Sequence, residues 1–268
     1  DALLNLLLLT GNLGRRGTGL YVLRGLANEQ GATDAGCVPD RLPGHRSVHD
    51  REARERIAAG WGVEPPSDPG LTAREMLASF GSEIRAAVAV GENPAVSKRD
   101  ADELSAGLDA LDTLVVSELT PSETTAHADV VFPAAAGVER AGTVTNLDRQ
   151  VQRLRPLAEP PGEARTDLDI LCDLGERLVG GGGFDFESPR EAFAELRTVA
   201  PPYAGLSDDA LATRSRRWPA FAGDEDGDGA STEPFLYADG FDTPDGRASF
   251  APVDLSSLPE PDGADDTL

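Results

Sequence analysis

The chain has 268 residues, 40% of them hydrophobic but only 5% aromatic, and sets 47 acidic against 24 basic residues for a formal charge of -23. That length allows one large domain or two modest ones, each with a core built mainly from Leu, Val and Ala. So anionic a surface excludes nucleic acid and anionic membranes as partners.

Arginine nearly replaces lysine, Lys98 being the single lysine, and acidic residues run through the helical stretches as well as the tail. A halophilic cytoplasm is the preferred reading, since high salt screens the self-repulsion of a compact anionic protein. An ordinary acidic protein from a GC-rich genome is the alternative. Cys37 and Cys172 lack CxxC spacing, which excludes a zinc knuckle or an iron–sulfur cluster built from this chain. The Leu3–Leu9 run is too short to span a bilayer and lacks a basic flank or cleavage motif, so a soluble protein without a membrane span is expected. The chain opens on Asp1, already inside an apolar helical pattern, which reads as a fragment or a processed product.

Residues 1–11 read as a buried helix stopped by Gly11 and Gly14, and the glycines near Arg15 to Gly19 mark a loop. Tyr21 to Gly36 is polar and glycine-rich, the composition of a ligand-lining segment. A variable stretch with Pro65, Pro66 and Pro69 follows. Thr72 to Phe80 is helical, Ile84 to Val90 reads as a buried strand, and Gly91-Glu92-Asn93-Pro94 turns the chain. A helix over Asp100 to Leu111 precedes a second apolar run at Thr113 to Val116, then a short helix at Ser122 to His127 and a third buried strand at Val130 to Phe132.

Three short apolar strands separated by helices predict βαβ crossovers and a parallel sheet. Ligands of such sheets gather at the carboxyl ends of the strands: here Gly91 to Ser97, Ser117 to Thr124, and Pro133 onward. Ser117, Glu118 and Thr124, at the second of these ends, are therefore candidate ligand-binding residues. Glu139 to Arg155 suits a hairpin or loop, and Arg140, Arg149, Arg153 and Arg155 form a local basic island that would neutralise a pyrophosphate or hold a neighbouring domain. Thr166 to Leu178 is an amphipathic helix ended by Gly180 to Gly183, and a further helix lies near Pro189 to Val199. Asp224, Asp226 and Asp228 alternate as in a calcium loop but lack its closing glutamate, so a solvated loop is expected. The Pro- and Asp-rich residues 255–268 read as a linker or disordered tail. His45, His49 and His127 have no ligand-spaced partners and take structural roles, and no metal ligand is assigned within the chain.

Several motifs in one order resemble the molybdenum and tungsten bis-pterin oxidoreductases. They begin with Asn5 to Gly14 followed by Gly17-Thr18-Gly19. Arg24-Gly25, Asn28, Gln30-Gly31, Asp34, Gly36 and Pro39 to Gly44 narrow the resemblance to the formate dehydrogenase branch, alpha (catalytic) subunit type. Gly91 to Pro94, Glu123-Thr124, Ala128 to Ala135, Gly142-Thr143, Thr145-Asn146, Arg149, Val151 to Arg153 and Pro160 to Arg165 follow the same order, with a fainter continuation through Trp218-Pro219 and Phe241 to Phe250.

The resemblance implies an α/β fold, a Rossmann-like parallel sheet with helices on both faces. Residues 1–182 would form the dinucleotide-binding region, 183–254 a helical or irregular connection, and 255–268 the acidic tail. It implies molybdopterin guanine dinucleotide (bis-MGD) holding Mo or W, an upstream cysteine or selenocysteine as metal ligand, a 4Fe-4S cluster in a preceding segment, a following β-barrel domain and a separate electron-transfer subunit or acceptor. Arg24 would stand beside the metal and orient the carboxylate of formate, a task suited to a planar, permanently charged fork. Gly25 and Leu26 adjoin it, Leu26 standing where the family usually has glutamine. Gly91, Glu92, Asn93 and Ser97 match the loop meeting one dinucleotide, and Glu139, Gly142, Thr143, Asn146 and Arg149 match a loop near the cofactor. The implied activity is two-electron oxidation of formate, a small anionic substrate, to carbon dioxide, with this chain alone inactive. The alternatives are a related molybdoenzyme such as an assimilatory nitrate reductase, or a non-catalytic split fragment that binds cofactor.

Overall fold

A computed structural model describes residues 1–97, 101–180, 182–223, 236–241 and 243–253. The three alternating aspartates and the tail from residue 255 lie outside the described residues. The chain divides into two compact units, Asp1–Leu23 with the residues from 227 on, and Arg24–Asp226.

In the first unit, helix α1 (Ala2–Leu9) forms as the leucine run predicts but buries none of its residues. The expected buried helix is thus corrected: Leu3, Leu4, Leu6 and Leu9 are all exposed. Leucine favours the helix locally, and burial needs a partner surface that the turns of this unit do not supply. Asn5 ties the helix to the distant segment through Ala251, donating to its carbonyl at 2.7 Å and accepting from its amide at 3.1 Å.

In the second unit the order is α2 (Glu29–Asp34), β1 (Arg41–Leu42), β2 (Arg46–Ser47), α3 (Arg51–Trp61), α4 (Ala73–Ala78), β3 (Ala86–Val90), α5 (Pro94–Ser97), α6 (Ala101–Asp109), β4 (Thr113–Glu118) and β5 (Val130–Pro133). Then come β6 (Gly142–Thr145), β7 (Gln150–Leu154), α7 (Asp167–Val179), α8 (Pro189–Val199), α9 (Asp208–Thr213) and β8 (Arg216–Arg217). A 3-10 turn at Thr124–His127 joins β4 to β5. Side-chain caps start several helices: Thr72 forms a capping box with Glu75, Thr166 caps α7 and Ser188 caps α8, each worth about 1 kcal/mol. Gly180 ends α7 in the left-handed conformation, where its lack of a Cβ is an advantage.

Strands β3, β4 and β5 form the predicted parallel sheet in that order, giving a mixed α/β fold. The pleat sends Ala87, Ala89, Leu114 and Val116 to one face, where they pack with Leu104 and Leu108 of α6, one helical turn apart, and with Leu77 and Phe80 around α4. On the opposite face Ser117 is sealed and bonded to Asp167, the first residue of α7, while the valines beside it stay partly exposed among the described residues. Val88, Val90 and Val130 on it are 48%, 37% and 42% exposed, so the expectation of buried strands holds for β4 but not for β3 and β5. Apolar runs report the capacity for burial and not which element delivers it.

The hairpin predicted over Glu139 to Arg155 is β6–β7, joined antiparallel by β8. Val151 anchors it to a cluster of Ala200, Tyr203, Leu206, Leu211 and Ala220. Leu42, Val48, Ala53, Ile57 and Val199 make a second small core where α3 meets α8. No helix among the described residues is long and apolar enough to cross a membrane.

Candidate functional site

The parallel sheet brings its carboxyl ends together as expected, and the polar residues there bond chiefly to one another. Asn93 accepts from the Thr124 amide at 3.1 Å and from its hydroxyl at 2.6 Å, and donates to Glu123 at 2.8 Å. The amide beside Glu123 holds that carboxyl below its usual range. The Thr124 hydroxyl also accepts from the Ala95 amide at 3.1 Å. Ser117 donates to Asp167 at 3.1 Å, Ser97 donates to Glu92 at 2.6 Å, and Glu118 accepts from the Leu119 amide at 2.8 Å. Thr124 and Ser117 are 0% and 1% exposed: Thr124 is a latch between the segments that follow β3 and β4, and Ser117 ties β4 to α7. Gly91 differs: at φ +59 it turns the chain after β3, and a Cβ there would meet nothing within 4 Å among the described residues.

The second group of predicted residues assembles around α2 and β6. Asn28, in the left-handed conformation at φ 65, precedes α2 and accepts from the Thr145 amide at 2.9 Å, fixing the helix to the hairpin. A Cβ on Gly31 would lie 2.2 Å from that Asn28 oxygen, so the close approach requires glycine. Arg24 reaches α2, donating from Nη1 to Glu29 at 3.1 Å and to Thr33 at 3.3 Å. Its Nε is buried and has no hydrogen-bond partner among the described residues. Gly25 and Leu26 follow on the surface.

Asp34 of α2 is buried, accepting from the Gln30 amide at 2.9 and 3.0 Å, with His45 Nδ1 at 3.5 Å. Burial pushes its carboxyl above the ordinary range, against the opposing pull of Gln30, His45, Arg24 and Arg149. Its place in the motif was visible in the sequence, and its burial beside two arginines was not.

On the hairpin, Asn146 closes the turn by accepting from the Gln150 amide at 2.9 Å, and Glu139 closes the preceding one on the Ala136 amide at 2.8 Å. Gly142 and Thr143 line a cavity of about 860 Å³ together with Asn28, Arg140 and Arg153. The four arginines of the basic island bond within their own unit. Arg140 pairs with Asp167, Arg149 donates to the Trp218 carbonyl at 3.0 Å, Arg153 pairs with Asp208 at 3.1 Å, and Arg155 donates to the Ala212 carbonyl at 2.7 Å. His127 pairs with Asp109 at 2.6 Å, a contact between the 3-10 turn and the end of α6.

The second unit thus sets a glycine turn after β3 at the carboxyl end of a parallel sheet, where ligands of such sheets gather, and anchors an arginine to α2 from the segment before it. The chain belongs to the molybdopterin oxidoreductase family, whose model matches residues 1–177. It is 38% identical over 264 residues to the formate dehydrogenase subunit alpha of Methanocaldococcus jannaschii, covering 97% of this chain and 38% of that one. A formate dehydrogenase subunit alpha of Methanococcus maripaludis is 39% identical over 257 residues, 96% of this chain and 37% of that one. The probable oxidoreductase YjgC of Bacillus subtilis is 38% identical over 254 residues, 94% of this chain and 25% of that one. The chain therefore spans between a quarter and two fifths of the length of these relatives. Among solved structures, acetylene hydratase from Pelobacter acetylenicus aligns with a TM-score of 0.46 and 16% identity over 63% of this chain and 25% of that one.

The family implies a molybdopterin cofactor with molybdenum or tungsten. The residues present fit such a group in kind. Among the described residues the buried Nε of Arg24 is a donor without a hydrogen-bond partner, and Gly91 and Gly142 leave open space where a side chain would stand. Among the described residues no cluster of three or more His, Cys, Asp or Glu could hold a metal ion.

Proposed function

We propose that this chain is the central, cofactor-cradling part of a formate dehydrogenase, in which Arg24 holds the substrate carboxylate. The observation that carries the reading is the anchored guanidinium of Arg24, whose buried Nε has no hydrogen-bond partner among the described residues. Formate loses two electrons and a proton to become carbon dioxide. When bound, the molybdopterin-held metal supplies the electron acceptor for that oxidation. Arg24 contributes a fixed positive charge at any working pH and a planar donor edge that matches a carboxylate. On this reading the backbone of Gly91, the hydroxyls of Ser97 and Thr143 and the start of β6 at Gly142 would meet the dinucleotide. Two family features support assigning the rest of the machinery to other segments: the length of the relatives, and the motif resemblance. Those segments would carry the thiolate or selenolate ligand, the 4Fe-4S cluster and the closing barrel, and would pass electrons to a separate acceptor. The charge of -23 with one lysine supports the cytoplasm of a halophile as the setting.

The test is formate-dependent reduction of a dye by the full-length holoenzyme and its Arg24→Ala variant. The variant is expected to lose kcat/KM on the order of a hundredfold to a thousandfold, as for removal of one preorganised donor. Leu26, standing where the formate dehydrogenase pattern has glutamine, is the observation that favours a second reading, a related molybdoenzyme acting on another small anion. Turnover of nitrate and not formate would establish that reading and overturn the first.

A further inference from the structure

We infer that Glu29, assisted by Thr33, is the positioning residue that sets the orientation of the Arg24 guanidinium toward a bound carboxylate. The inference rests on the reading of Arg24 given above. Glu29 and Thr33 lie one turn apart on α2 and converge on a single atom, Nη1 of Arg24, at 3.1 and 3.3 Å. The Thr33 hydroxyl donates its own hydrogen to the Glu29 carbonyl at 2.9 Å, so the lone pairs of its oxygen remain to face Arg24. Two acceptors on one nitrogen, of which one is charged, restrict rotation of the planar group. The anchored Nη1 faces the helix, and the Nε–H, buried and unpaired among the described residues, is left for another acceptor.

The platform is itself fixed. Asn28 immediately before Glu29 is bonded to the Thr145 amide of β6, so movement of α2 would have to break the joint to the hairpin. The Glu29 side chain is 44% exposed and that of Arg24 is 24% exposed, which makes the pair too open to be a major source of fold stability. Arg24 also acts electrostatically on the buried Asp34, which feels His45 and Arg149 as well, while the hydrogen bonds of its Nη1 go to Glu29 and Thr33.

The experiment compares Glu29→Ala, Glu29→Gln, Thr33→Val and Arg24→Ala in the full-length holoenzyme, with metal content measured for each. Glu29→Ala is expected to raise the KM for formate about tenfold with a much smaller change in kcat, the effect of losing one charge-assisted hydrogen bond. Glu29→Gln, which keeps an acceptor, should restore most of that loss, and Thr33→Val should give a smaller rise. A second readout needs no turnover: modification of Arg24 by phenylglyoxal, followed by peptide mass mapping, should be several-fold faster in Glu29→Ala than in wild type or Glu29→Gln. Unchanged labelling and unchanged KM in Glu29→Ala would overturn the inference. A lowered KM would do so as well, since it would make Glu29 a competitor of the substrate. Wild-type kinetics in Arg24→Ala would instead sink the formate reading, while the labelling rates would still report whether Glu29 holds Arg24.

Discussion

At the carboxyl ends of β3 and β4 the polar side chains are turned on one another, whereas on α2 an arginine is anchored by one nitrogen and left with a buried donor to spare. Both regions stood out for the same reason, as short polar stretches beside apolar elements, and both lie in one compact unit. Their difference shows that a polar residue at a strand end has two physical outlets, a ligand or a neighbouring loop. Burial decides between them. Thr124 and Ser117 are sealed and satisfied, so their removal should be felt in folding, while changes at Arg24 should be felt in binding.

That contrast can be broken most directly at the latch. Thr124→Val removes the donor to Asn93 and the acceptor for the Ala95 amide at a fully buried site, so a loss of about 2 kcal/mol is expected in urea unfolding. A loss within experimental error would show that the latch is not holding the strand ends. Ser117→Ala should cost less, about 1 kcal/mol, because Asp167 keeps its pairing with Arg140. A larger loss than that of Thr124→Val would reverse the order of the two contacts.

The third prediction sharpens the other side of the comparison and is the smallest. Asp34 in the folded chain titrates above its reference value of 3.8 because burial disfavours its charged form. The folded state therefore binds the proton more tightly than the unfolded state does. The contribution of Asp34 to stability is therefore fully present in acid and is lost as pH rises from the unfolded value through the higher folded one. Unfolding of wild type and Asp34→Asn across that window should show the variant gaining relative to wild type as pH rises. A difference that grows in the opposite sense would mean that Arg24, Arg149 and His45 outweigh desolvation.

The strands were legible because Ala86–Val90, Thr113–Glu118 and Val130–Pro133 are short apolar runs bounded by turn residues, and α7 because Thr166 and Gly180 mark its ends. Helix α3 was not, since only Ala53 and Ile57 of its eleven residues are buried and, Trp61 at its end apart, the rest of its sequence is charged or small. Exposure of Val88 and Val130 was equally hidden, because hydropathy along a strand says nothing about what packs over it. The site divided in the same way. Arg24 was marked by its motif, while Glu29 and Thr33 follow five and nine residues later from an arginine that precedes the helix, spacings no helical pattern would select. The bond of Asn93 to Thr124 joins residues 31 apart and could be seen only once the crossover was folded.

The partly exposed valine face of the parallel sheet sets two forces against each other in solution. Val88, Val90 and Val130 invite a second copy to cover them, while a charge of -23 keeps copies apart at low ionic strength. Added salt weakens only the repulsion, so the conditions that favour compaction of one anionic chain also remove the barrier between two. For this polypeptide on its own, light scattering is therefore expected to rise with ionic strength.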